Sequence, residues 1–175
     1  EIECTNSYND AYIAIKKLLS KWDIKEEATV INGVEITSPV LNYNLKSLKE
    51  LKYVCLFLQR NNFAVNESCG GHIHIGFDYF EDITNLQLFY YLYVHCEDAI
   101  SLMINRCGSK IRTCALTNAR PIKDMMINAY GKYMSFTHLS ITQFVSQMKE
   151  LQHDRYTSVN LDNALSPQKN TIEFR

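Results

Sequence analysis

The segment Cys69-Gly70-Gly71-His72-Ile73-His74-Ile75-Gly76 alternates imidazole and isoleucine with a period of two. On a β-strand, residues i and i+2 point to the same face, so His72 and His74 share one surface and Ile73 faces the core. Both ends of the chain repeat the pattern. Glu1-Ile2-Glu3 and Glu173-Phe174-Arg175 each set two polar groups on one face and send an apolar residue, Ile2 or Phe174, to the other. A fourth strand, Gly33-Val34-Glu35-Ile36-Thr37-Ser38-Pro39, carries Glu35 between apolar neighbours. Strands of alternating polarity, rather than solid apolar runs, predict an α+β fold: an antiparallel sheet with helices packed on one face, not a doubly wound parallel sheet.

Between these strands the apolar spacing turns helical. Leu45–Asn61 keeps a 3.6-residue period through Leu45, Leu48, Leu51, Val54, Cys55 and Leu58. Thr84–Ile104 reads as a long helix, Ile141–Leu151 as another, and Ile122–Ala129 as a weaker one. Asp10–Trp22 follows candidate caps at Asn6, Ser7 and Asn9, with Ala11, Ile15, Leu18, Leu19 and Trp22 as its stripe. Ala28–Pro39 is β-like with Asn32-Gly33 as a turn signal, and Asn105–Arg120 is a loop or irregular ribbon. Arg155–Leu161 and Thr171–Arg175 read as the last strands.

The chain has 175 residues, a length suited to one domain spanning 1–175. Glu1 is not an initiator Met and Arg175 lies inside a strand pattern, so the expectation is a fragment of a longer protein, truncated at both ends. A net charge of −1 offers no basic field for nucleic acid or an anionic membrane. No apolar run approaches the ~18 residues that span a bilayer. The six cysteines form no C-x-x-C pair, and Cys55 and Cys96 sit in apolar helical patterns as small hydrophobes. A reduced, cytoplasmic chain is expected.

Singly, each polar pair is an ordinary surface feature. Together they put acids and imidazoles of four strands on one sheet face, where burying charge is expensive unless a ligand offsets it. Four carboxylates with one or two imidazoles suit Mg²⁺ or Mn²⁺ better than zinc, which stays open through Cys69, His72 and His74. Divalent ions beside an arginine are the usual equipment of phosphoryl transfer.

The segments Glu1-Ile2-Glu3, Gly33 to Pro39, Cys69 to Gly76, Asn160-Leu161 and Thr171-Ile172-Glu173-Phe174-Arg175 resemble, in order, the amidoligase family of the glutamine synthetase and glutamate–cysteine ligase superfamily. The resemblance implies a curved antiparallel sheet, glutamine synthetase catalytic-domain-like, whose concave face holds ATP, metal and substrates. It implies an ATP-dependent carboxylate–amine ligase that works through an acyl phosphate on small-molecule or peptide carboxylate and amine substrates, with neither nucleic acid nor membrane as partner. Glu1, Glu3, Glu35, His72 and Glu173 would be metal ligands, and His74 would lie near the nucleotide phosphates or the acyl substrate. Arg175 would contact the transferring phosphoryl group, Asn160 the nucleotide side of the site, and Arg106 and Arg112 are the mid-chain arginine candidates. A metal-dependent hydrolase using His72 and His74, or a catalytically silent metal- or nucleotide-binding module, remain the alternatives.

Overall fold

The computed structural model describes residues 1–5, 12–13, 15–17, 20–30, 32–66, 68–80, 82–104, 106–107, 110–111, 119–133 and 139–175, with 106–107, 110–111 and 129–133 by backbone alone. Strands β1 (Ile2–Thr5), β2 (Asp23–Glu27) and β3 (Gly33–Thr37) precede helix α1 (Leu45–Arg60). Strand β4 (Ile73–Gly76), a 3₁₀ turn at Phe77–Tyr79 and helix α2 (Ile83–Ile104) come next. The short strands β5 (Arg106–Cys107) and β6 (Lys110–Ile111) follow, then α3 (Lys123–Tyr133), α4 (Ile141–Gln152), β7 (Val159–Asn160) and β8 (Thr171–Phe174). The fold is α+β, and every strand pairing within its sheets is antiparallel. The chain divides into two compact units, Glu1–Gly71 and His72–Arg175.

In the first unit the strands order as β1-β3-β2. Ile2, Ile36 and Ile24 form one cross-strand row, and Cys4 stands opposite Val34. These residues pack with Ile15, Trp22, Val54 and Leu58 into one core. Each fully buried apolar side chain contributes roughly 1.5–3 kcal/mol. The Trp22 indole donates to Glu50 Oε1 at 2.9 Å, so its polar edge is satisfied. Tyr12, Ile13 and residues 15–17 are helical; Ala11, Leu18 and Leu19 of the anticipated stripe lie outside the described residues.

Two readings need correcting here. Asp23–Glu27 is a strand, and residues 28–30 and 32 belong to the turn of a hairpin rather than to a strand. Ile24 is its only apolar residue, so it carries no alternation to read; its pairing with β3 makes it a strand. On α1, Val54 and Leu58 are buried, but Leu45, Leu48 and Leu51 are exposed, as are Cys55 and, on α2, Cys96. A 16-residue helix is about 24 Å long, and five-residue strands reach only about 17 Å, so this small sheet covers part of its stripe. The helix start is secured otherwise, by Asn44 Oδ1 accepting from the Ser47 N–H at 3.0 Å.

The hairpin also explains Gly33. Asn32 has φ 51°, and a Cβ on Gly33 would stand 2.3 Å from Val30 Cβ and 2.6 Å from its carbonyl oxygen. Gly33→Ala is therefore expected to cost about 1–3 kcal/mol, read as a lower urea midpoint; an unchanged midpoint would refute this close approach.

In the second unit the order is β4-β8-β7. Ile172 and Val159 are buried, and Phe174 meets Phe89 edge-on at 5.6 Å and Tyr93 at 5.8 Å, both on α2. Helix α2 buries Leu86, Tyr90, Tyr93, Val94 and, on the same stripe, Glu97. Helix α4 opens with a reciprocal cap: Gln143 N–H donates to Ser140 Oγ, and Ser140 N–H to Gln143 Oε1. Phe174 and Ile2 face apolar cores as anticipated, but Ile73 is 64% exposed. Ile73 lies on β4, an edge strand of this sheet, and the buried cluster that takes Phe174 and Ile172 does not include it.

Candidate functional site

Register places the acids of the first unit. Glu35 sits at the centre of the three-stranded sheet, with Glu3 directly across on β1 and Lys25 directly across on β2. Glu27, two residues along β2 from Lys25, shares their face. Carboxylate oxygens of Glu3, Glu27 and Glu35 all lie within 4.8 Å of one another. Glu3 and Glu35 are buried, and Glu27 is half-buried. At an effective dielectric of 20, like charges at that separation repel by roughly 3 kcal/mol per pair.

The surroundings answer part of that charge. The Lys25 ammonium lies 2.8 Å from Glu35 Oε1, and this hydrogen bond raises the lysine's pKa above its usual value. Thr37 Oγ1 donates to Glu35 at 3.2 Å, and Thr29 donates to Glu27 through both its N–H and its hydroxyl. The Gly70 N–H donates to Glu3 Oε2 at 2.5 Å. A Cβ on Gly70 would approach that oxygen to 3.0 Å, so glycine lets the backbone come close to the carboxylate. Cys4 and Cys69 are buried beside Glu3; burial first, then Cys69 and Glu3, push the Cys4 thiol up to about 12. Cys69 Sγ donates to Asn66 Oδ1 at 3.4 Å, a structural contact. Glu1 precedes β1 and acts on Lys25 through its charge, outside the set of three.

In the second unit Glu173 is central. His74 on β4 and Asn160 on β7 stand directly opposite it. Asn160 Nδ2 donates to Glu173 Oε2 at 3.1 Å, the Arg175 guanidinium lies 2.7 Å from Oε1, and His72 Nδ1 is 3.6 Å from the same oxygen. Both members of the Glu173–Arg175 pair are largely buried, at 6% and 12% side-chain exposure, so this is no solvated surface pair. The Arg175 guanidinium also stands over the Tyr156 ring at 5.9 Å. His74 Nδ1 is 3.3 Å from Thr171 Oγ1. Arg106 pairs with Ile111 in the β5–β6 ribbon, and Arg112 lies outside the described residues.

Two acids that sequence reasoning passed over hold places here. Glu27 sits in Lys25-Glu26-Glu27, where three adjacent charges hide the i, i+2 pair that points one way. Glu97 is 1% exposed and accepts from the N–H groups of Ile122 and Lys123 at 2.9 and 2.7 Å, and from the Ser158 hydroxyl. These are orphan donors at the start of α3, where a carboxylate also meets the positive end of the helix. A charge lying on the apolar stripe of α2 was its signal. Glu97 and Arg175 line one small cavity with Tyr93, Ser101 and Ser158. Burial is the main cause that raises the Tyr93 hydroxyl's pKa there; the Ser158 hydrogen bond opposes it.

Three carboxylates converging on one point, with no sulfur among them, fit a hard divalent cation better than zinc. In the second unit an arginine, an asparagine and two imidazoles surround one buried carboxylate, a set able to receive anionic oxygens. Among the described residues no helix is long and apolar enough to cross a membrane. No curated protein and no solved structure matches the chain. Residues 13–175, which include Glu27, Glu35, His72, His74, Asn160, Glu173 and Arg175, match the family described as "Putative amidoligase enzyme", and the chain belongs to that family.

Proposed function

We propose that the protein is an ATP-dependent carboxylate–amine ligase that works with Mg²⁺ or Mn²⁺. Family membership supports a ligase. The observation that carries the metal-dependent reading is the convergence of Glu3, Glu27 and Glu35 oxygens within 4.8 Å. Glu3, Glu27 and Glu35 would hold the cation in the first unit, and within the second unit His72 and Glu173 would offer an imidazole and a carboxylate as ligands. When bound, the ion neutralises and orients phosphate oxygens. ATP is a substrate: its terminal phosphoryl group passes to a carboxylate, and an amine then displaces phosphate to leave an amide. Arg175, fixed through Glu173, would turn its planar fork to the oxygens where charge develops. Asn160 holds Glu173 from the other side, and His74 would lie near the phosphates or the acyl group. A glutamine synthetase-like fold belongs to the same proposal, supported by the family and by antiparallel pairing in each unit. So does a cytoplasmic setting, supported by thiols at Cys4, Cys55, Cys69 and Cys96.

The test is ATP binding by calorimetry with Mg²⁺ or with EDTA, followed by ADP release against mixed amino acids and peptides. Binding should need Mg²⁺, and ADP release should need both a carboxylate and an amine. ATP affinity indifferent to EDTA would overturn the metal-dependent reading, and ADP release independent of any amine would overturn the ligase.

A further inference from the structure

Ser158 is a buried residue that joins helix α2 to the strand end carrying Arg175. Strand β7 pairs with β8 through Val159 opposite Phe174 and Asn160 opposite Glu173. The same register continued by one residue sets Ser158 opposite Arg175. The hydrogen bonding agrees, because the Ser158 carbonyl accepts the Arg175 N–H at 3.0 Å. Asn160 thus holds the carboxylate of the Glu173–Arg175 pair, and Ser158 holds the backbone from which the guanidinium extends.

The other polar groups of Ser158 are committed as well. Its N–H donates to the Arg120 carbonyl at 2.8 Å. Its hydroxyl donates to Glu97 Oε1 and also hydrogen-bonds the Tyr93 hydroxyl. Glu97 is itself fixed, since its two oxygens accept the Ile122 and Lys123 N–H groups. A continuous line of hydrogen bonds therefore runs from the start of α3 through Glu97 and Ser158 to Arg175. The guanidinium has need of it. Glu173 meets it at one nitrogen and the Tyr156 ring at one face. Its Nε is buried with no hydrogen-bond partner among the described residues, and it borders a small cavity together with Glu97 and Ser158. A long side chain with room beside it keeps its aim only if its backbone is held.

We propose that Ser158, clamped by Glu97, is a positioning residue for Arg175: it fixes the strand end so that the guanidinium fork meets the phosphoryl group in transfer. This deepens the reading of Arg175 given above and rests on it. Preorganisation acts where charge develops, so the effect falls on the transferring group and not on the nucleotide at rest.

The experiment uses the full chain with Ser158→Ala, Ser158→Thr and, as a control, Arg175→Lys. Calorimetry measures ADP with Mg²⁺, alone and then with aluminium fluoride, an anion that stands in for the transferring phosphoryl group; thermal melting checks folding. Wild type should bind ADP more tightly with the fluoride, and Arg175→Lys should lose most of that gain. Ser158→Ala should keep ADP affinity within about twofold and lower the gain by about tenfold. Ser158→Thr keeps the hydroxyl, has the adjoining cavity for its methyl group, and should restore the gain. A full gain in Ser158→Ala overturns this inference and leaves the reading of Arg175 intact. ADP affinity, gain and melting temperature falling together in Ser158→Ala, with no rescue by threonine, would also overturn it and make Ser158 structural. If wild type shows no gain, or Arg175→Lys keeps it, the reading of Arg175 fails and takes this inference with it.

Discussion

Arg175→Lys is expected to lower turnover in the proposed ligase reaction by on the order of 10²-fold, with thermal melting close to that of the parent. Lysine keeps the positive charge, so Glu173 still has a cation within reach and the fold has little reason to respond. What it loses is the planar fork, which can bond Glu173 with one edge and present another to phosphate oxygens. The guanidinium also stands over the Tyr156 ring at 5.9 Å, and a point charge on a flexible stem brings no planar face to that ring. Glu173→Gln separates the roles further. It leaves the largely buried guanidinium, at 12% side-chain exposure, without its anionic partner, so it should lower both stability and turnover. The measurements are ADP release and melting for both variants. Turnover in Arg175→Lys within a few-fold of wild type would reduce the pair to a structural ion pair and remove the chemical argument for Arg175.

Glu97→Ala should be among the most destabilising substitutions in the second unit, costing about 3 kcal/mol or more. It removes the acceptor for two backbone N–H groups at the start of α3 and for the Ser158 hydroxyl, at a side chain that is itself buried. It also leaves a cavity on the buried stripe of α2. Glu97→Gln keeps the volume but replaces one acceptor oxygen by a donor facing another donor, so an intermediate loss is expected. Urea unfolding reads both, with the slope unchanged and the midpoint lowered. A loss below about 0.5 kcal/mol for the alanine variant would mean that α3 finds its donors' partners elsewhere. Since Ser158 O also accepts the Arg175 N–H at 3.0 Å, the same variant should disturb the strand end that carries Arg175.

Much of the architecture was legible because periodicity is local. Period-two runs around Ile2, Val34–Ile36, His72–His74 and Ile172–Phe174 state which face each residue takes, and helical spacing locates α1, α2 and α4 within a residue or two. The Asn32-Gly33 signal is the hairpin turn between β2 and β3. The motifs around His72 and Glu173 carried the family, and the match over residues 13–175 agrees with them. Tertiary structure decided who stands opposite whom. A period of two cannot say that Glu35 lies between Glu3 and Lys25, because cross-strand register is set by hairpin geometry and by pairing distant in sequence. For that reason Glu27 and Lys25 surfaced only with the fold, and Glu173 proved to be held by Asn160 and Arg175 together. Burial was likewise undetermined for edge elements: Ile73 and Leu48 have the right spacing for a core, but a side chain is buried only where another element covers it. Glu97 shows the reverse, a charge kept in an apolar stripe because a helix start arriving from 25 residues away supplies its donors.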